Sequence, residues 1–311
     1  MKNPSQCKLS MTILLILLTA VSVFDCRKKS SDFESPIIFD PEPADWRDDW
    51  LACWSGVHDL IAYLHDQDVD SPDPDTTGIY LIKPDGSDNR LYYKYYRQGP
   101  VLGLDWSPDA SCLLIFAGAY LIRLSYPDCI ADTICGPGLY FYPTFSPDGQ
   151  EIASVLRGGD VRGIYLLDIN GDNYRRITPL GDYPTWLYSD SILYLNYNDE
   201  LPLYSLCLQD QAGSGKRLLF EPSLLDAIRF QFTKAHIATK RIATVPHIGG
   251  TPMKIYVYSD DEGQFRLLTE YGCYPAFSPD GSQIVFTRTE GGDGKLWIIN
   301  WDGTAVRQLT Q

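Results

Sequence analysis

Gly213-Ser214-Gly215-Lys216 is the stretch that most resembles a phosphate cradle. A phosphate loop places a Gly five residues ahead of its Gly-Lys pair and a Ser or Thr after the Lys. Asp210 and Arg217 hold those places here, and no helix-forming run follows, so the segment reads as a hairpin tip. Asp66, Asp68 and Asp70 alternate in D-x-D-x-D, with Asp73 and Asp75 close behind. Such carboxylates are a weak candidate for Ca²⁺, which takes about six to eight oxygens. An EF-hand loop would need Gly where Ser71 stands and Glu where Thr77 stands. Without a cation these carboxylates are an exposed loop whose repulsion water and salt screen. No firm metal site and no cofactor are expected.

His58, His65, His236 and His247 form no H-E-x-x-H and have no Cys at zinc spacing, so they read as structural. Sequence spacing shows no catalytic residue, although a triad is assembled in space rather than along the chain. Of eight cysteines, Cys129 and Cys135 bracket a short, tip-like insertion. A bridge closing that loop would contribute about 2.4 kcal/mol on the chain-entropy estimate. This disulfide and two free thiols stay open as equal readings, with Cys53, Cys112, Cys207 and Cys273 packed as small hydrophobes.

Chemistry of this kind needs a frame, and the chain supplies one by repetition. Tyr142-Pro143-Thr144-Phe145-Ser146-Pro147-Asp148-Gly149 returns as Tyr274-Pro275-Ala276-Phe277-Ser278-Pro279-Asp280-Gly281. Trp106-Ser107-Pro108-Asp109, Trp54-Ser55-Gly56 and Tyr183-Pro184-Thr185-Trp186 are shorter copies, and a degraded one is placed by spacing at Phe232. Behind each copy, as far as it can be traced, comes a short apolar strand, then an aromatic strand ending in a Gly turn, then an edge strand such as Arg176-Ile177-Thr178. Four strands in a unit of about 44 residues, with no convincing helix, predict a propeller blade. Pro presets φ in the Ser-Pro-Asp-Gly turn, Asp bonds the backbone ahead of it, and Gly takes positive φ. The Trp or Phe before the turn is expected to fill the gap between blades, burying roughly 150–250 Å² each.

The [WF]-S-P-D-G turn, followed by I-x-[FY], I-Y-x-x-D-x-D-G and R-x-L-T, resembles the TolB-type β-propeller repeat over residues 45–311. That resemblance implies an all-β, six-bladed propeller of four-stranded antiparallel blades in an exported bacterial protein. The repeat is also similar to the propeller of prolyl-oligopeptidase-type enzymes. The chain departs from both: only residues 27–44 stand where TolB carries an α/β domain, and no G-x-S-x-G occurs. A fold is therefore implied, not an activity.

Address comes from the N-terminus. Lys2 and Lys8 precede Met11–Phe24, a run of 14 apolar or small residues, too short to span a bilayer and fitting a secretory signal over residues 1–25. Cys26 closes that run and opens a polar stretch, like a lipobox cysteine, so we expect lipidation at Cys26 and a tether over 26–44. Ala20-Val21-Ser22 offers a rival cleavage site. The net charge of -14 argues against nucleic acid as a partner. The function expected is an envelope-anchored binding module or scaffold, periplasmic or at the cell surface, for a protein, peptide or glycan. A monomer is expected. The alternative is a propeller-type carbohydrate-active enzyme, a polysaccharide lyase or hydrolase. Tyr95, Tyr96, Arg97, Tyr142, Tyr183 and Tyr274 are the expected partner-binding residues, on one rim with Tyr92, Tyr93, Tyr140 and Tyr271. Tyr142, Tyr183 and Tyr274 each precede their [WF] by three positions, so pseudosymmetry predicts a ring at the channel mouth, with Arg229 at the matching place in the fifth blade.

Overall fold

The computed structural model describes residues 48–311 except 67–76, 95–100, 102, 118, 137–139, 159–160, 199–202, 221–228, 248–252, 260–261 and 289–293. They lie in one compact unit, Trp46–Gln311. Among them there is no helix; 24 strands form six four-stranded antiparallel sheets, each from strands consecutive in the chain. We number these blades 1 to 6, spanning 48–94, 104–135, 140–178, 181–220, 229–269 and 273–308. The first strand of each blade is innermost and contacts the first strand of its neighbours, blade 6 touching blade 1. Among the described residues no strand is exchanged at the closure. Instead the Asp49 amide donates to the Gly294 carbonyl (3.0 Å) and Thr287 Oγ1 to the Asp49 carbonyl (3.2 Å).

Alternating strand residues bury one apolar face against each neighbouring blade. The core is accordingly six seams rather than one centre. Trp106 fills the seam between blades 1 and 2, Phe145 that between 2 and 3, Trp186 that between 3 and 4, and Phe277 that between 5 and 6. Trp54 is half-buried where blade 6 meets blade 1. The Ser-Pro-Asp turns repeat their bonding. Ser146 Oγ and the Gln150 amide donate to Asp148 Oδ1 at 2.6 and 3.0 Å, and Ser278 with Ser282 does the same for Asp280. Those bonds hold the turn carboxylates below the ordinary range; for Asp280, Ser278 is the largest cause and the pKa falls to about 2.

Blade 5 corrects the register read from sequence. Ala235 pairs with Ile242 as Phe277 pairs with Ile284 and Trp186 with Ile192. Alanine therefore occupies the aromatic seam position, and Phe232 stands three places earlier, in the inner-strand bulge. Spacing caught the nearest aromatic because this copy has lost its Pro-Asp-Gly.

Candidate functional site in the central channel

Five inner strands shift register near their middle, between Trp50/Cys53, opposite Ala153/Val155, and between Asp182/Thr185, Gln231/Lys234 and Cys273/Ala276. Four of these bulges put a side-chain-bearing residue in the left-handed region: Leu51, Tyr142, Tyr183 and Tyr274, with φ of 52°, 52°, 49° and 51°. A non-Gly residue held there costs on the order of 1–3 kcal/mol. The unpaired bulge position also accepts the Pro that follows each Tyr, since no ladder hydrogen bond is lost there. Blade 2 uses Gly103 at this place. A Cβ on Gly103 would come within 2.2 Å of Pro143, so the blade 3 proline excludes any side chain there.

The three tyrosines converge around one central space with Leu51, Gly103 and Lys234. Tyr142 donates from its hydroxyl to that of Tyr183 (3.2 Å), and their rings lie 4.2 Å apart at 31°. Across the channel Tyr274 is buried against Trp50, with centroids 5.5 Å apart. Desolvation, then the neighbouring Tyr142 and Asp182, push the Tyr183 phenol well up. The space among these described side chains is about 40 Å³, room for a few waters. Beside Tyr183, Asp182 is paired with Arg157; its burial pushes the carboxyl up and Arg157 pulls it back. Arg157 also lies 4.8 Å from the Phe141 ring centroid.

The other expected site residues fare differently. Arg229 is not in the ring: it opens the inner strand of blade 5, paired with His247, and the matching position belongs to Phe232. The sequence signal for this was the conflict between the aromatic and the missing turn. Tyr95, Tyr96 and Arg97 lie outside the described residues, as do Asp68, Asp70 and Cys26. Asp66 ends the second strand of blade 1. Tyr92 turns into the seam, where its hydroxyl donates to the Ser125 carbonyl. Of the two readings of Cys129 and Cys135, the structure has the free thiols. The intervening residues are not a tip but the outer strand of blade 2, Ala131–Cys135. A strand of that length extends over more than about 10 Å, whereas a disulfide needs Cα atoms within about 7 Å. Cys129 Sγ instead contacts the Tyr92 carbonyl at 3.1 Å. His65 is held structurally, Nδ1 lying 2.7 Å from Asp49 Oδ1.

Blades, seams and aromatic channel together define a closed six-bladed β-propeller. No family model matches the chain. Over 110 residues it is 30% identical to the Tol-Pal system protein TolB of Anaeromyxobacter sp. strain K, an alignment covering 34% of this chain and 24% of that protein. It is thus similar to about a quarter of the length of that curated relative. The crystal structure of TolB from Acinetobacter baumannii superposes with a TM-score of 0.69 at 21% identity, over 81% of this chain and 63% of that one. Oligogalacturonate lyase from Vibrio parahaemolyticus superposes at 0.54 and 13% identity over 86% and 80%, a likeness of fold alone. The fold is a six-bladed β-propeller similar to that of TolB.

Proposed function

We propose that this propeller is an exported envelope scaffold that receives a polypeptide partner at the mouth of its channel. The observation that carries the proposal is the ring of Tyr142, Tyr183 and Tyr274 on left-handed bulges, three aromatics turned to the channel at a cost in backbone energy. Tyrosine anchors interfaces well because its ring buries while its hydroxyl still bonds. A channel with room for a few waters favours a partner that docks across the mouth over a sugar that enters. The relatives bearing the Tol-Pal name support an envelope role, and the segment before Cys26 supports export. A lipid anchor on Cys26 would hold the propeller at a membrane; Cys26→Ala should then move the protein to the soluble fraction.

The test is affinity capture from envelope extract with the wild type and with a Tyr142→Ala, Tyr183→Ala double variant of unchanged circular dichroism. The proposal expects a polypeptide captured by the wild type and lost from the variant. Equal capture by both overturns it. So does turnover of an oligosaccharide by the purified protein with no polypeptide bound.

A further inference from the structure

The last strand of every blade carries one equivalent position, identified by its pairing in the sheet. It is Arg90 in blade 1, Arg175 in blade 3, Arg217 in blade 4, Arg266 in blade 5 and Arg307 in blade 6. In blade 2 alone it is an acid, Asp132. Arg90 and Arg175 pair with Asp88 and Glu151 of their own blades, while two of the others cross to the next blade. Arg266 donates to the Trp301 and Asp302 carbonyls of blade 6 (2.7 and 3.0 Å), and Arg307 donates to the Pro84 carbonyl of blade 1.

The groove between blades 5 and 6 is filled by basic side chains from blade 5. Besides Arg266, the Arg241 guanidinium lies 3.5 Å over the Trp301 ring and donates to the Gly281 carbonyl (3.0 Å). His236 reaches the Pro279 carbonyl (2.9 Å). At the same three places blade 2 carries Asp132, Cys112 and Ser107. On the facing blade, Ile169 replaces Trp301 and Gly149 matches Gly281. The result is a cavity of about 590 Å³ between blades 2 and 3, lined by all five of these residues.

Its charge is inverted as well. Asp109, Asp132 and Asp148 line it against one guanidinium, Arg123, which is already paired with Asp132 at 2.5 Å. Hydrogen bonds from Ser107 to Asp109 and from Ser146 to Asp148 keep both turn carboxylates ionised. Ile130, 65% exposed, stands at the lip.

We infer that the groove between blades 2 and 3 is a binding site for an arginine side chain of a partner polypeptide, whose guanidinium takes the place that the chain's own arginines take at the groove between blades 5 and 6. The turn carboxylates and the turn carbonyls supply acceptors for a planar fork, and Ile130 with Ile169 supplies cover for the methylene stem. This site lies on the rim of the Ser-Pro-Asp turns and does not depend on the channel reading.

The experiment titrates the full-length protein with the peptide acetyl-Gly-Arg-Gly-amide while following backbone amide shifts, with the citrulline and lysine analogues as controls. Saturable shifts centred on Gly149, Gln150 and Ile130 are expected, weaker by about tenfold for citrulline and for lysine, the worth of one charge-assisted fork. Asp132→Arg restores the missing guanidinium from within and should abolish the shifts while the fold is kept. Should that variant not fold, Asp132→Asn replaces it and should weaken binding several-fold. Shifts scattered over the surface, equal binding of citrulline or lysine, or an Asp132 variant that folds and binds like the wild type would each overturn the inference.

Discussion

The grooves at the two blade junctions, 2–3 and 5–6, rest on matching strands and, on the facing blades 3 and 6, on matching Ser-Pro-Asp-Gly turns, and differ in what fills them. At the 5–6 junction a His and two Arg side chains cross to the next blade and close the rim over Phe277. At the 2–3 junction Ser107, Cys112 and Asp132 leave the rim open above Phe145, yet Phe145 is as well buried as Phe277. Ring closure therefore resides in the apolar seams, and the polar rim above them is free to vary. A rim position that varies against five arginines is where recognition can be built.

The largest effect that follows is on the seams. Trp106→Ala should cost about 3–5 kcal/mol in a urea titration, as a large-to-small core change. A loss under about 1 kcal/mol would mean that the seams do not carry closure. Trp106→Phe should cost far less, because the indole N–H of Trp106 has no hydrogen-bond partner among the described residues. Next comes the filled rim: Arg241→Ala removes a stacked guanidinium and its bond to Gly281, worth about 1–2 kcal/mol, and opens at the 5–6 junction a groove like that at 2–3. Unchanged stability would show that this filling is incidental.

What the sequence disclosed follows the same division. Seams were legible because Trp106, Phe145, Trp186 and Phe277 each sit before a turn with its own local chemistry. The tyrosine ring was legible because it keeps a fixed offset from those aromatics. Blade 5 was not, since Ala235 gives no signal and Phe232 gives a false one, which carried Arg229 three places off. The outer strand of blade 2 was missed for a related reason. Ala131–Cys135 has Asp and Thr at two of its five places and is exposed over its first three, so it read as a tip, and with it went both the disulfide reading and the acid among the arginines. Local bonds write themselves into sequence; packing against a neighbouring blade does so only where a large side chain is needed.

Two smaller effects sharpen the picture. Asp280 binds its proton more weakly folded than unfolded, about 2 against an ordinary value near 4. Its stabilising contribution is therefore full above about pH 4 and is lost as pH falls through about 2. Thermal midpoints of the wild type and Asp280→Asn should differ at pH 7 and converge at low pH; parallel curves would contradict the turn's charge-held geometry. Smallest is the thiol count: intact mass under non-reducing conditions should match six free cysteines in the propeller, and a loss of two hydrogens would contradict the strand placed between Cys129 and Cys135.

The claim that most needs testing is that the tyrosine channel mouth is where a partner sits. Tyr271, 38% exposed on the turn leading to Tyr274, can carry the photocrosslinker p-benzoylphenylalanine, with the exposed Leu218 on the outer strand of blade 4 as control. Irradiation in the native envelope should join one polypeptide to the propeller from position 271, none from 218, and none from 271 once Tyr142 and Tyr183 are alanine. An absent adduct at 271, or the same adduct from 218, would contradict the account.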